Sequence, residues 1–168
     1  LRTSDFAVLA AASYPTFDLS KFGTDTNYTN QVLQDKNSPM LDRTFGSAYT
    51  PGSIFKPSVA LAALQEAHHS EYFDTVQAAI GQHDNLFTPA QLATYVATIA
   101  NDGTRKQVHL VDHVTDYSRK NVISKTQPKT IVDNSDYSFL SKENLRTVQA
   151  GMRLVTSTGG TAQATFAN

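Results

Sequence analysis

A serine and a lysine stand three residues apart where the sequence predicts the start of a helix. Ser53 and Lys56 follow the tight-turn pair Pro51-Gly52, and serine is a favoured residue at a helix start. Side chains at i and i+3 lie on the same side of a helix. The positive field of a helix N-terminus favours an alkoxide, and a lysine pushed toward its neutral form can accept the serine proton. The tetrapeptide therefore offers a nucleophile, Ser53, and a base, Lys56.

The same tetrapeptide is also typical of a capped helix with a surface lysine. Chemistry is favoured by the segment over residues 54–68, which is rich in alanine and leucine and almost free of charge. A helix that is apolar nearly all round is expected to be central and buried, where a merely solvating lysine is unexpected. We therefore predict that Ser53 caps the first turn of a buried helix, with the Lys56 amine within hydrogen-bond reach of its hydroxyl.

The other residues that could do chemistry show weaker patterns. His68 and His69 would point about 100° apart on a helix, and no third ligand converges with them. His109 and His113 flank a predicted strand and would share a face there, but ordinary exposed histidines are the simpler interpretation. The aspartates show no paired spacing, and no glycine-rich phosphate loop occurs. We predict neither a metal site nor a cofactor.

Two further apolar segments are expected to hold the Ser53 helix in place. Thr88 caps a predicted helix over residues 89–99, with proline at its first position. A last helix is predicted over residues 141–155, because apolar residues recur there at helical spacing. Its stripe consists of Leu140, Leu145, Val148, Met152 and Val155. We expect both helices to pack on the same core as the Ser53 helix.

The remaining segments are predicted to be strands and loops. Residues 6–14 form a short apolar run between turn signals, which suits a buried strand. Residues 16–42 are polar and without a period, which predicts a long surface loop. Apolar alternation over residues 108–114 and 122–132, around a polar turn at 117–121, indicates a β-hairpin.

Length and composition restrict the class of protein. The 168 residues suit one domain, long enough to bury a core without a metal or disulfide staple. Lys plus Arg count 14 against 15 for Asp plus Glu, a net charge of −1, which makes nucleic acid an unexpected partner. Cysteine is absent, so a thiolate nucleophile is excluded. No apolar stretch is long enough for a membrane span and no signal peptide is present, so we expect any anchor to lie outside this sequence.

Residues 50–57, T-P-G-S-I-F-K-P, closely resemble the P-G-S-x-F-K-P active-site segment of class B penicillin-binding proteins. Further blocks resemble that family in the same order. They are residues 8–17 (V-L-A-A-A-S-Y-P-T-F), 37–43 (N-S-P-M-L-D-R), 80–82 (I-G-Q) with 88–93 (T-P-A-Q-L-A), 100–104 (A-N-D-G-T) and 150–155 (A-G-M-R-L-V). Together the blocks cover most of the chain, which makes the resemblance specific.

The resemblance implies the α/β (α+β) fold of penicillin-binding protein transpeptidases and serine β-lactamases, an antiparallel sheet with helices on both sides. It implies a D,D-transpeptidase that cross-links peptidoglycan stem peptides ending in D-Ala-D-Ala, outside the bacterial cell membrane. Ser53 would be acylated, Lys56 would take its proton, and β-lactams would acylate the same serine. The resemblance also implies other cell-wall synthesis proteins as partners, and it implies no metal or organic cofactor.

The chain departs from the family in the second and third catalytic motifs. Neither S-x-N nor K-T-G occurs, and residues 157–162, S-T-G-G-T-A, echo the latter without its lysine. Only residues 57–79 stand where the family has a helical subdomain. We therefore interpret residues 1–168 as a transpeptidase-domain fragment, shortened between 57 and 79 and without the K-T-G strand region. We expect such a chain to be a poor transpeptidase.

Two interpretations of function stay open at this point. The first is the serine acyl-enzyme mechanism, and the second is a non-catalytic scaffold or sensor module that keeps the fold without turnover. An S-x-x-K esterase would differ from the first only in resolving the acyl-enzyme with water. Acylation of Ser53 by a penicillin discriminates the enzyme from the module.

Overall fold

The computed structural model describes residues 1–65 and 86–166. Within these ranges the chain forms helices, one 3-10 turn and short strands. In chain order they are α1 (Thr26–Gln34), the 3-10 turn (Gly52–Phe55), α2 (Lys56–Gln65), α3 (Pro89–Ala100), β1 (Arg105–Lys106), β2 (His113–Thr115), β3 (Val122–Lys125), β4 (Thr130–Val132), α4 (Lys142–Leu154) and α5 (Gln163–Phe166). His68, His69, the 80–82 block and most of the shortened 57–79 segment lie outside the described residues.

The strands of the described chain form two separate antiparallel pairs. β2 pairs with β3, with Val114 opposite Ser124, and β1 pairs with β4. The turn between β2 and β3 is closed by Asp116, whose carboxylate accepts hydrogen bonds from the Ser118 hydroxyl (2.7 Å) and the Asn121 amide (2.6 Å). The predicted hairpin is therefore confirmed.

The predicted strand over residues 6–14 is wrong in extent, because it is reduced to one bridge. Ala7 pairs with His109, and the Val8 amide donates to the His109 carbonyl at 2.9 Å. Phe6 and Ala7 are buried, but Leu9 is 66% exposed. A strand needs a continuous neighbour for its backbone groups, and the described residues around His109 supply only this one pairing position.

The predicted loop over residues 16–42 contains helix α1, which corrects that prediction. The Asp25 carboxylate accepts a hydrogen bond from the Tyr28 amide at 3.0 Å and so caps the helix. Val32 is its buried residue. A cap and one apolar contact stabilise a short polar helix that shows no apolar period in the sequence.

The three longer apolar helices share one core, as predicted. The buried cluster consists of Leu61 from α2, Ile99 from α3, and Leu145 and Val148 from α4. The predicted helix starts are confirmed as well: Thr88 forms a capping box with Gln91, and the Ser141 hydroxyl accepts from the Asn144 amide. α2 and α3 therefore meet on the buried face of α4.

A buried asparagine links the end of α3 to the start of α4. The fully buried side chain of Asn134 donates to the carbonyls of Asp102 (2.9 Å) and Leu140 (3.0 Å). It also accepts from the amides of Phe139 and Leu140. Gly103 lies against this side chain at φ +83°, and an added Cβ would meet the Asn134 amide nitrogen at 2.6 Å. Both the backbone angle and the contact therefore favour glycine.

The helices have no membrane-spanning character over the part of the chain that the structure describes. None of them is both long and apolar enough to cross a bilayer.

Candidate active site

Ser53 lies on a 3-10 turn directly before α2. The turn covers Gly52–Phe55, and the Lys56 amide donates to the Ser53 carbonyl. In a regular α-helix this carbonyl would accept from residue 57, but Pro57 has no N–H. The i+3 bond from Lys56 replaces the missing i+4 bond, which explains why the segment is a 3-10 turn.

The prediction that Ser53 caps the helix is wrong. The cap position is held by Pro51, and no side chain caps this turn. Gly52 follows with φ +56°, a conformation that glycine adopts without strain. The turn therefore begins two residues earlier than predicted, and Ser53 becomes its second residue. Its side chain stays exposed.

The predicted hydrogen bond between Lys56 and Ser53 is not formed. Neither the Lys56 ammonium nor the Ser53 hydroxyl donates a hydrogen bond within the described ranges 1–65 and 86–166, and Lys56 is exposed. A hydrated ammonium on a flexible stem gains little by pairing with a neutral hydroxyl. The geometric prediction is therefore wrong, and the catalytic roles of both residues stay predictions.

Helix α2 is less buried than its composition predicts. Leu61 is its one buried residue among the described positions, and Leu64 is 38% exposed. Apart from the adjoining 3-10 turn, α2 packs chiefly against α4 within the described chain. An apolar helix is fully buried only when neighbouring elements cover every face. Within the described chain, α2 is covered chiefly on the face toward α4.

The turn is fixed to α3 by aromatic packing and by one hydrogen bond. The Phe55 ring stacks on Phe87 with centroids 5.6 Å apart and tilts against Tyr95 at 6.5 Å. The Tyr95 hydroxyl donates to the Ile54 carbonyl at 2.9 Å. The backbones of Tyr49 and Phe87 also exchange two hydrogen bonds, of 2.8 and 2.9 Å. The segment on either side of Ser53 is therefore anchored to the start of α3.

A cavity of about 920 Å³ lies behind the turn, between α2 and α3. Its lining is mainly apolar and includes Phe55, Leu61, Phe87 and Tyr95, with Phe139 contributing from the segment before α4. Neither Ser53 nor Lys56 is among the described residues that line this cavity. The proposed nucleophile is therefore not part of the wall of this cavity.

One carboxylate–histidine cluster has the proximity of a metal site. Ligand atoms of Asp5, His109 and Asp112 lie within 4.8 Å of one another. Arg2 already pairs with both carboxylates, at 2.8 Å to Asp5 and 3.3 Å to Asp112. Its hydrogen bond lowers the pKa of the Asp5 carboxyl, and a hydrogen bond from His113 lowers that of Asp112. The Arg2 guanidinium therefore takes the place that a metal ion would need, and the two carboxylates of the cluster already belong to an ion-pair network.

Two residues with defined polar roles were missed by sequence reasoning. Tyr95 falls within the apolar stripe of α3, a position that predicts only a packing role. Its hydroxyl is the signal, because a half-buried tyrosine needs a hydrogen-bond partner. Asn134 stands between strand β4 and helix α4, where asparagine is common in turns and carries no distinguishing pattern.

Comparison with known families decides the assignment. The family model of the penicillin binding protein transpeptidase domain matches this chain over residues 3–82 and again over 69–168. The chain belongs to this transpeptidase family. The predicted resemblance to class B penicillin-binding proteins is confirmed, as a partial domain.

Two curated relatives match parts of this transpeptidase chain. Penicillin-binding protein H of Bacillus subtilis is 39% identical over 94 residues, which are 52% of this chain and 12% of that protein. Peptidoglycan D,D-transpeptidase MrdA of Salmonella typhimurium is 37% identical over 62 residues, 36% of this chain and 10% of that protein. The matched part thus spans about an eighth or less of the length of either relative.

A solved structure supports the fold of this transpeptidase chain. It is penicillin-binding protein A from Mycobacterium tuberculosis, a penicillin G acyl-enzyme complex, with a TM-score of 0.69. The identity is 17%, and the alignment covers 86% of this chain and 53% of that one. The predicted α/β fold is therefore confirmed, as a partial version of the family fold.

Proposed function

We propose that this chain carries the acylation centre of a peptidoglycan D,D-transpeptidase, with Ser53 as nucleophile and Lys56 as its base. The observation that carries the proposal is the S-x-x-K segment on an exposed turn at a helix start, in a chain of the transpeptidase family. An exposed hydroxyl on a turn is accessible to a peptide substrate. The similar proteins include a peptidoglycan D,D-transpeptidase and a penicillin-binding protein solved as its penicillin G acyl-enzyme complex, and both support the reaction class.

The proposed reaction has two acyl-transfer steps. Ser53 Oγ attacks the carbonyl carbon between the two terminal D-alanines of a stem peptide, and Lys56 Nζ takes the hydroxyl proton. The backbone N–H of Ser53 stabilises the oxyanion in part. The terminal D-alanine leaves with a proton. An amine of a neighbouring stem peptide then attacks the Ser53 ester, the ester C–O bond breaks as the new amide bond forms, and the amine proton returns to Ser53 Oγ. A β-lactam carbonyl would enter at the first step and remain as a Ser53 ester.

The substrate class sets the proposed location and partners. Peptidoglycan lies outside the bacterial cell membrane, so the reaction belongs to its extracytoplasmic face. Stem peptides and β-lactams are the proposed ligands, and other cell-wall synthesis proteins are proposed partners.

We also propose that residues 1–168 are a fragment of the transpeptidase domain, with the helical subdomain shortened between residues 57 and 79. The family model matches the chain in two segments, residues 3–82 and 69–168, rather than in one, which supports a departure from the family sequence around residues 69–82. Neither S-x-N nor K-T-G occurs in the sequence. Those motifs would hold the substrate carboxylate and complete the oxyanion hole, so their absence predicts slow acylation and negligible turnover.

A non-catalytic module is the second candidate function. Its support is the exposed Lys56, which donates no hydrogen bond within the described part of the chain. The proposed base needs a neutral amine, which burial and neighbouring groups favour. A scaffold or sensor that keeps the fold needs no such amine.

Intact-mass measurement after incubation with a fluorescent penicillin tests the proposal. We expect one added penicillin mass, which peptide mapping assigns to Ser53. The Ser53→Ala variant should carry no adduct, and Lys56→Ala should acylate more slowly. Ser118→Ala, which changes a serine on the β2–β3 turn, is the control and should label like the parent chain. An unlabelled parent chain at saturating penicillin supports the non-catalytic module.

A further inference from the structure

The turn that carries Ser53 has weak support from its own helix. Pro57 removes one amide donor, and the Ser53 carbonyl is left with the 3-10 bond from Lys56. A 3-10 turn has poorer hydrogen-bond geometry than an α-helical turn. The orientation of the Ser53 hydroxyl and N–H must therefore be fixed by contacts from elsewhere in the chain.

Helix α3 supplies a hydrogen bond directly beside the nucleophile. The Tyr95 hydroxyl donates at 2.9 Å to the carbonyl of Ile54, the residue that follows Ser53, although the two lie 41 positions apart in the sequence. The Tyr95 ring also packs against Phe55, the next residue of the turn. Two consecutive residues after Ser53 are thus held by one side chain.

Tyr95 stands on a rigid part of the molecule. Helix α3 is capped by Thr88 and Gln91 and buries Thr94, Ala97 and Ile99 on either side of this tyrosine. Burial raises the pKa of the Tyr95 hydroxyl, so it stays protonated and able to donate at neutral pH. The hydrogen bond therefore connects the turn to the shared helical core.

We propose that Tyr95 is a positioning residue for Ser53, holding the 3-10 turn through the Ile54 carbonyl. The reaction it serves is the one in our proposed function, on which this inference rests. Tyr95 acts through the backbone and does not contact the reacting atoms. Losing its hydroxyl frees the Ile54 carbonyl, and the Ser53 hydroxyl and N–H then sample more orientations.

Hydrogen exchange of the purified chain tests the proposal without requiring activity. Tyr95→Phe removes the hydroxyl and keeps the ring. We expect the Lys56 amide, which closes the turn, to exchange roughly two- to tenfold faster, the factor expected from one net hydrogen bond. Tyr137→Phe is the matched control, because the Tyr137 hydroxyl contacts Asp102 at 3.5 Å, away from the turn. That control should leave the Lys56 amide unchanged.

The outcomes separate positioning from general stability. Faster exchange confined to the turn, with the Val148 amide of α4 unchanged, supports the proposal. Unchanged exchange at Lys56, or an equal increase at Val148, overturns it.

Penicillin labelling of the same variants adds a kinetic measurement. If the parent chain labels at Ser53, the Tyr95→Phe variant should label more slowly while Tyr137→Phe labels at the parent rate, and equal rates for all three overturn the proposal. If the parent chain does not label, the proposed function fails, and the exchange measurement alone decides whether Tyr95 holds the turn.

Discussion

The junction between α3 and α4 and the turn before α2 differ in how completely their groups are covered. At the junction, Asn134 is fully buried and hydrogen-bonded on both sides of its amide, and Leu145 is 1% exposed. At the turn, Ile54 is 54% exposed, and both Ser53 and Lys56 are exposed. Of the two regions, only the junction is enclosed by the described residues.

The difference shows which part of the fold is held by its own contacts. The junction combines apolar burial with satisfied polar groups, the two conditions for a stable interior. The turn relies on Phe55 and Tyr95 for its connection to α3. We infer that the scaffold can persist while the geometry around Ser53 is easily disturbed.

Deleting a core side chain of the junction should have the largest effect on stability. Leu145→Ala should lower the free energy of unfolding by about 2–5 kcal/mol, because it leaves a cavity in a buried site. Leu64→Ala in α2 should cost less than about 1 kcal/mol, since Leu64 is partly exposed. Urea unfolding measures both, and Leu154→Ala on the exposed side of α4 is the control. Equal losses for Leu145 and Leu64 would erase the contrast between the regions.

Removing the buried amide should have the next largest effect. Asn134→Ala leaves two carbonyls and two amides without their side-chain partner, and one such buried group costs about 1–3 kcal/mol. We expect a loss of at least that size in urea unfolding. Asn121→Ala removes an exposed amide on the hairpin turn and should change stability by less than about 0.5 kcal/mol. An Asn134→Ala variant with an unchanged free energy of unfolding would contradict the stabilising role of the Asn134 hydrogen bonds at the junction.

Acidification should have the smallest effect on stability, through the exposed ion pair of Arg2 and Asp5 near the N-terminus. The Arg2 hydrogen bond lowers the pKa of Asp5 below its ordinary value. The folded state therefore binds fewer protons than the unfolded state. The ion pair stabilises the folded state at pH values above the pKa of Asp5 in the unfolded chain, which is about 3.9. This contribution is lost as the pH falls through the lower folded value.

The matched variants for this ion pair are Asp5→Asn and Arg2→Gln. Thermal unfolding of each should differ from the parent chain at pH 7, and the difference should shrink as the pH falls below about 4. A difference that stays constant down to pH 2 would show that the pair is not the source of the pH dependence.

The helical core could be predicted from the sequence, because its signals are local. The structure confirms three signals that lie within short windows: the Thr88 cap, the start of the last helix near residue 141, and the apolar spacing in α3 and α4. Helix α1 could not be predicted, since one aspartate cap and one buried valine leave no period. The single bridge at Ala7 depends on a partner about a hundred residues away, which local patterns do not report.

The candidate site was predicted in identity but not in geometry. The tetrapeptide with Ser53 and Lys56 was recognised from residue types, spacing and family resemblance. Its 3-10 conformation follows from the missing N–H of Pro57, and a single proline in the first turn does not by itself distinguish a 3-10 turn from an α-helical start. The exposure of Lys56 depends on what covers α2, a property of tertiary contacts rather than of the helix itself.

The rate of penicillin acylation tests the central claim most directly: that Ser53 is a transpeptidase nucleophile in a chain without the other two motifs. The rate is measured for this chain, for Ser53→Ala, and for penicillin-binding protein H of Bacillus subtilis as a longer relative. We predict an adduct on Ser53 that forms at least about 10²-fold more slowly than in the relative, the size expected for one lost oxyanion donor. Ser53→Ala should form none. An adduct that persists in Ser53→Ala, or equal rates in this chain and the relative, would contradict the account.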